Sequence, residues 1–203
     1  MKRKLLFLFV IASISEAIPF SPGIASSPAA SCDDNVVTIE NTYQNTDTLK
    51  ADFVQTTQVQ LIEKTITRNG RLFYQKGGKL RIEYAGDKMT HYITDGETLW
   101  VVDPVTKRMT IYPLKDSGLP DEALQFLTQL GNLRQYFNVT GNKQNDLVLK
   151  PKKKSNYRAL YCQFNKDHYL TGLSIRNLSG NMSDYRFFNI QTGMKLSPKL
   201  FQP

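Results

Sequence analysis

Residue types that commonly carry out chemistry are scarce in this 203-residue chain. It contains two histidines, His91 and His168, and two cysteines, Cys32 and Cys162. The sequence has no Gly-x-Ser-x-Gly, no His-Glu-x-x-His and no Cys-x-x-Cys, the spacings of nucleophilic, zinc and thiol–disulfide sites. The paired carboxylates Asp33-Asp34 begin a predicted helix, where capping and the helix dipole explain them. We therefore expect a protein that is not an enzyme and that needs no cofactor or metal.

The two cysteines allow three states. In an oxidising compartment, Cys32 and Cys162 would form a disulfide that ties an N-terminal helix to a sheet. Alternatively both thiols are free, or Cys32 is a lipidated N-terminus, since Ala29-Ala30-Ser31 before it weakly resembles a lipobox. Of these states, the disulfide is the one we predict.

The N-terminus predicts export. Residues 1–17 join a basic start to a short apolar run, too short to span a bilayer, and end in the small-x-small site Ser15-Glu16-Ala17. A second site would place cleavage as late as residue 25. Residues 18–32 are then a flexible segment and residues 33–203 one domain. We expect a periplasmic monomer.

The charge of the exported chain narrows the choice of partner. Removing Lys2, Arg3, Lys4 and Glu16 lowers the formal charge from +8 to +6. The remaining basic residues are scattered except in the run 150–154, which is either a solvated loop or a binding patch. Export argues against nucleic acid as a partner.

Hydrophobic periodicity predicts one helix, then strands, with one helical interruption. Residues 33–47 and 119–136 show helical spacing. Turn signals at Asn69-Gly70, Gly77-Gly78, Gly86-Asp87, Asp95-Gly96 and Asp103-Pro104 separate strands with few intervening helices, which is typical of an antiparallel meander. The predicted strands are 50–60, 60–67, 70–76, 79–85, 88–94, 98–102, 107–113, 137–140, 145–150, 157–165, 169–176 and 183–191.

A sheet of about 10–12 strands curls into a barrel or half-barrel, with one alternate of each strand facing inward. Two helices over the open side would enclose a hollow. The segment 99–102 has no polar alternate, so one face would pack on the sheet lining and the other on a helix. The predicted lining is Leu72, Tyr74, Leu80, Ile82, Tyr84, Met109, Ile111, Leu160, Cys162 and Phe164.

Three segments also resemble the LolA family of periplasmic lipoprotein carriers. They are LKADFVQTTQ (49–58), GRLFYQKGGKLRIEY (70–84) and YITDGETLWVVDPVTKRMTIYPL (92–114). The family shows a Phe-x-Gln strand, a Gly-x-Leu-aromatic strand, a basic-Pro-Gly turn and an Asp-Gly-x-x-Leu-Trp hairpin. The matches keep this order and spacing. The family proline is replaced by Gly77, and its basic turn residue falls on Lys76.

The resemblance implies a mainly β fold, an unclosed antiparallel barrel with a helical lid over an apolar cavity. The cargo would be a lipoprotein, taken from an inner-membrane ABC transporter and passed to an outer-membrane acceptor where one exists. Lys76 would act in this handover. The acyl chains would lie against Phe53, Leu72, Tyr74, Leu80, Ile82 and Trp100.

Two other functions remain open from the residues alone. One is a lipid-anchored acceptor of the LolB type, in which Cys32 would carry the lipid. The other is a periplasmic interaction domain whose interior is a filled core and which carries nothing.

Overall fold

The structure, a computed structural model, describes residues 32–86, 90–114, 126–141 and 146–203. The predicted leader and nearly all of segment 18–32 lie outside these ranges. The helices are α1 (Cys32–Asn45) and α2 (Leu133–Tyr136), and short 3-10 turns occupy Gln60–Ile62, Leu130–Asn132 and Pro198–Phe201. The strands are β1 (Thr48–Val59), β2 (Lys64–Gln75), β3 (Lys79–Tyr84), β4 (His91–Asp95), β5 (Thr98–Val102), β6 (Met109–Pro113), β7 (Phe137–Gly141), β8 (Asp146–Pro151), β9 (Tyr157–Phe164), β10 (Leu170–Asn177) and β11 (Met182–Thr192).

The eleven strands form one antiparallel sheet in the order β6-β5-β4-β3-β2-β1-β11-β10-β9-β8-β7. Strands β6 and β7 end the sheet and do not pair with each other. The first strand pairs with the last, so β1 and β11 form the middle of the sheet. The predicted fold class, a mainly β half-barrel with covering helices, is confirmed.

One face of the sheet carries the core. The strand register aligns Leu49, Tyr74, Leu80, Thr94 and Leu99 in a row across β1 to β5. Their side chains share a face because residues paired across a ladder point the same way. Helix α1 buries Val36, Ile39 and Tyr43 in the same core. We call this the helix-covered face and the opposite one the outer face.

The predicted turn at Asn69-Gly70 is wrong. Both residues lie inside the single strand β2, and the hairpin turns instead at Gln60–Glu63, where Glu63 has a positive φ of 47°. Gly70 is needed in the strand because a Cβ there would collide with the Phe53 ring and lie 2.5 Å from the Glu83 carbonyl oxygen. A strand glycine often marks such a close approach rather than a turn.

The lining was predicted correctly on most strands but not on β6. Leu160, Cys162 and Phe164 are buried in the core. Met109 and Ile111 are 47% and 56% exposed, and the register places them in the outer-face row. The prediction fails there because β6 is an edge strand whose apolar alternate faces outward.

The predicted helix 119–136 is not continuous in its described part. Residues 126 and 127 are helical, but two tight turns follow, in which Gln129 N donates to Phe126 O (2.9 Å) and Asn132 N donates to Gln129 O (2.9 Å). Helix α2 then completes the segment. The predicted start of this helix lies outside the described residues. We call residues 126–136 the lid segment.

Candidate functional site

Five of the six predicted acyl-chain contacts lie on the helix-covered face. Phe53, Leu72, Leu80 and Ile82 are at most 5% exposed and Tyr74 is half-buried. Leu72, Tyr74 and Leu80 line a small cavity, while Phe53 and Ile82 belong to the surrounding core. The other cavity-lining residues come from α1, the lid segment and neighbouring strands: Tyr43, Leu49, Ala51, Leu127, Leu130, Leu170, Phe187 and Ile190.

The space between sheet and lid is nearly filled. The cavity measures about 20 Å³, whereas pockets that hold ligands are typically about 300–1,000 Å³. The side chains of Leu127 and Leu130 from the lid segment occupy the position that the sequence analysis assigned to a hollow. In this arrangement the interior is close-packed, and a long apolar ligand would fit there only if the lid segment moved.

The sixth predicted contact, Trp100, lies on the outer face. Its register partners are Ile93 and Ile111, in the row that also contains Phe73 and Arg81. Leu99, fully buried, takes the inward position in β5. When both alternates of a strand are apolar, the pattern does not show which alternate faces the core. The sequence therefore did not determine whether Leu99 or Trp100 points inward.

An ion pair that sequence reasoning missed joins α1 to the lid segment, with a buried carboxylate and a guanidinium whose side chain is 54% exposed. The Glu40 carboxylate, 5% exposed, accepts hydrogen bonds from the Arg134 backbone N–H (2.8 Å) and Arg134 Nε (2.7 Å), with Nη2 also 2.7 Å away. Gln44 Nε2 adds a bond to the Gly131 carbonyl oxygen (2.6 Å). Glu40 lies on the same side of α1 as Val36 and Tyr43. A carboxylate on an otherwise apolar helix face is the sequence feature that could have indicated a buried partner.

The C-terminal end of α1 is tied to the sheet as well as to the lid segment. Leu170 N donates to the Tyr43 hydroxyl oxygen (2.9 Å), and the Tyr43 ring meets Tyr169 edge to face at 5.9 Å. Burial raises the pKa of Tyr43 strongly, so this hydroxyl stays neutral. Thr46 Oγ1 is also 3.2 Å from the Tyr169 hydroxyl oxygen. The C-terminal end of α1 thus contacts both the sheet, through Tyr43, and the lid segment, through Gln44.

Lys76 lies apart from the cavity, in the β2–β3 turn. It is exposed, and its backbone N–H donates to the Asp47 carbonyl oxygen (2.8 Å). Gly77 and Gly78 follow with φ of 95° and 81°, which confirms the predicted Gly-Gly turn. The ammonium group is therefore available to a partner.

The predicted disulfide is not formed in the structure. Cys162 is a free thiol, completely buried in the core, and burial raises its pKa well above the usual value. The side chain of Cys32 lies outside the described part of the chain. A thiol buried in apolar surroundings is inert, so Cys162 acts here as a small core residue.

Within the described ranges, no three His, Cys, Asp or Glu side chains are grouped so that they would hold a metal ion. Of the helices that the structure describes, none is long and apolar enough to cross a membrane.

Comparison with known proteins decides the family. Residues 44–203 match the family model described as "Outer membrane lipoprotein carrier protein LolA". The chain belongs to this family. Among curated LolA relatives, the outer-membrane lipoprotein carrier protein of Haemophilus ducreyi is 28% identical over 158 residues, which are 75% of this chain and 72% of the relative. The protein of the same name from Coxiella burnetii is 27% identical over 177 residues, covering 83% and 82% of the two chains.

Solved structures agree on the fold. A LolA superfamily protein from Nitrosomonas europaea has a TM-score of 0.51 and 10% identity, covering 86% of this chain and 99% of its own. A DUF1329 family protein from Desulfovibrio piger has a TM-score of 0.54 and 12% identity, covering 87% and 98%. LolA proteins are transport chaperones and not enzymes, and LolA carriers are periplasmic.

Proposed function

We propose that this LolA-family protein shields the acyl chains of lipoproteins between its helix-covered face and the lid segment. The observation that carries the proposal is an apolar sheet face covered by a segment whose polar links to α1 are the Glu40–Arg134 ion pair and the Gln44–Gly131 hydrogen bond. Each buried methylene contributes about 0.8 kcal/mol. When the lid segment leaves, an acyl chain covers the surface that Leu127 and Leu130 had covered, so opening exchanges one apolar contact for another.

The transport route is part of the same proposal. Cargo is accepted from an inner-membrane ABC transporter and released at the outer membrane, to an acceptor where one exists. Lys76 is the residue we assign to this handover, because its ammonium group is exposed on a well-defined turn. The protein works as a monomer. Residues 1–17 direct its export and are then cleaved off.

A paired substitution tests the acyl-chain site. Tyr74 and Tyr112 are both half-buried tyrosines packed on the core, but only Tyr74 lines the cavity. We expect Tyr74→Asn to weaken the binding of a fluorescent long-chain fatty acid about tenfold, since it removes apolar contact of roughly 1.5 kcal/mol. Tyr112→Asn should cost similar stability and leave binding unchanged. Titration of the exported protein, with melting temperatures as a check on folding, measures both.

The near-filled interior favours one competing function, a domain whose core never opens. Absence of saturable fatty-acid binding in the wild type would establish that alternative and end the carrier proposal. The acceptor alternative predicts a chain that begins at a lipidated Cys32. Intact mass of the exported protein distinguishes it, because the carrier retains residues before Cys32 and has no added acyl groups.

A further inference from the structure

Three connecting segments meet at one end of the sheet, and two of them expose apolar side chains. The β1–β2 turn presents Leu61 and Ile62, which are 92% and 61% exposed, and the β10–β11 turn presents Leu178, which is 58% exposed. The third segment is the β8–β9 connection, which contains Lys152, Lys153 and Lys154. We call this the loop end of the molecule. The turn with Lys76 lies at the opposite end of β2.

Backbone and side-chain hydrogen bonds hold the three segments together. Gln60 N donates to Asn181 Oδ1 (3.1 Å), which joins the β1–β2 turn to the β10–β11 turn. Leu178 N donates to the Asn156 carbonyl oxygen (2.7 Å), which joins the β10–β11 turn to the β8–β9 connection. The exposed aliphatic side chains and the lysines therefore belong to one connected surface.

The charge of the loop end is strongly positive. Segments 58–65, 150–158 and 176–182 contain a single carboxylate, Glu63. Their seven cations are all exposed: Lys64, Lys150, Lys152, Lys153, Lys154, Arg158 and Arg176. A second copy of this chain is a poor occupant of the surface, because a symmetric contact would bring these cations together.

We propose that the loop end docks on the surface of an anionic phospholipid membrane. Exposed leucine and isoleucine on narrow turns insert below the headgroups, and the lysines beside them contact lipid phosphates; this is the combination that binds peripheral proteins to bilayers. A surface that binds a protein partner would be expected to be flatter and apolar, with a surrounding rim of hydrogen-bonded polar groups. The assignment does not depend on acyl-chain binding, so either proposal survives failure of the other.

Vesicle flotation of the exported protein tests the electrostatic part. We expect binding to vesicles of phosphatidylglycerol and phosphatidylethanolamine and none to pure phosphatidylcholine. Lys153→Ala with Lys154→Ala should weaken binding about 25-fold, at about fivefold per lysine. These two residues are chosen because Lys152 Nζ also donates to the Arg134 carbonyl oxygen. Lys166→Ala, in the β9–β10 turn, is the control for a lost charge and should have no effect.

A fluorophore tests insertion. In a Cys32→Ser background, Leu61→Cys labelled with an environment-sensitive dye should shift to the blue with anionic vesicles, whereas labelled Val105→Cys should not. Val105 is 67% exposed in the β5–β6 turn, which makes it a matched position. Leu61→Ser with Ile62→Ser should weaken flotation at least tenfold. Three results would overturn the proposal: no flotation, flotation that ignores both double variants, or a loop-end variant that changes the oligomeric state instead.

Discussion

At the scale of single residues, Glu40 and Arg134 join α1 to the lid segment. The Glu40 carboxylate is buried and makes three contacts of 2.7–2.8 Å with Arg134, so removing its charge weakens charge-assisted hydrogen bonds at a desolvated group. We expect Glu40→Gln to lower the free energy of unfolding by about 2 kcal/mol and to speed the uptake of a fluorescent fatty acid. Urea titration and stopped-flow mixing measure the two effects.

The matched control for Glu40 is Arg71→Gln. Arg71 Nη2 is 3.0 Å from Glu83 Oε2, and the Arg71 side chain is 58% exposed, close to the 54% of Arg134. The two pairs differ at the carboxylate, because Glu40 also accepts the Arg134 backbone N–H, whereas Glu83 keeps Arg81 as a partner when Arg71 is replaced. Exposed pairs contribute roughly 0–1 kcal/mol. If Glu40→Gln behaved like Arg71→Gln in both measurements, the ion pair would not be the contact that holds the lid segment.

Gly70 is the second residue for which the structure predicts the effect of a substitution. A methyl group at this position would meet the Phe53 ring and the Glu83 carbonyl oxygen, and a backbone oxygen in the middle of a sheet cannot move away. We expect Gly70→Ala to lower the free energy of unfolding by about 1–3 kcal/mol. Gly172→Ala is the control, because the added Cβ would lie 2.7 Å from Gln163 Oε1, the end of a flexible side chain. Equal effects in urea titrations would show that the close approach at Gly70 is not rigid.

At the scale of elements, the C-terminal turn Pro198–Phe201 covers the outer face on β3 and β4. Phe201 is buried, and Arg81 Nη1 donates to the Leu200 carbonyl oxygen (3.1 Å). Arg81 also donates from Nη2 to His91 Nδ1 (3.1 Å) and from Nε to Glu83 Oε1 (2.7 Å). Among the described residues, this C-terminal turn is thus what covers the outer face at β3 and β4.

This cluster predicts a pH dependence. Burial and the positive charge of Arg81 lower the pKa of His91 from its usual 6.5, while Glu83 opposes them and Arg71 adds to them. The folded protein then binds the proton more weakly than the unfolded chain, so the free energy of unfolding falls as the pH drops below about 6.5. We expect His91→Asn to remove part of this slope between pH 7 and 5. Identical slopes in urea titrations of both proteins would contradict the role of His91.

The sequence pattern predicts an element correctly where one of its sides is exposed to solvent and the other is buried. β3 alternates Lys79, Arg81 and Glu83 with buried Leu80, Ile82 and Tyr84, so both its type and its facing were predictable. β5 has no polar alternate, so the sequence did not predict which of its side chains face the core. Asn69-Gly70 has the composition of a turn, but a contact with a distant phenylalanine decides its conformation. The Glu40–Arg134 pair spans 94 positions, and local patterns carry no information about it.

At the scale of the whole molecule, the two candidate docking regions lie at opposite ends of β2. The strand has twelve residues, which corresponds to about 40 Å. If Lys76 receives cargo, Lys76→Glu should slow the transfer of a lipoprotein from the transporter while leaving the melting temperature and fatty-acid affinity unchanged. Lys166→Glu, in another turn at that end, controls for charge alone. Equal transfer rates for wild type and Lys76→Glu would remove Lys76 from the handover.

The pairing of β1 with β11 has a consequence for how the chain acquires its structure. These two strands join residues such as Phe53 and Phe187 at the centre of the sheet, although more than a hundred residues separate them along the chain. Contacts between distant residues form slowly, because closing a long loop costs entropy before any contact compensates it. A chain that is synthesised N-terminus first builds its local hairpins early, but β1 keeps an unpaired edge until β11 has been made. The risk of aggregation is therefore highest during that interval. It ends when β11 pairs with β1, which also makes the sheet continuous.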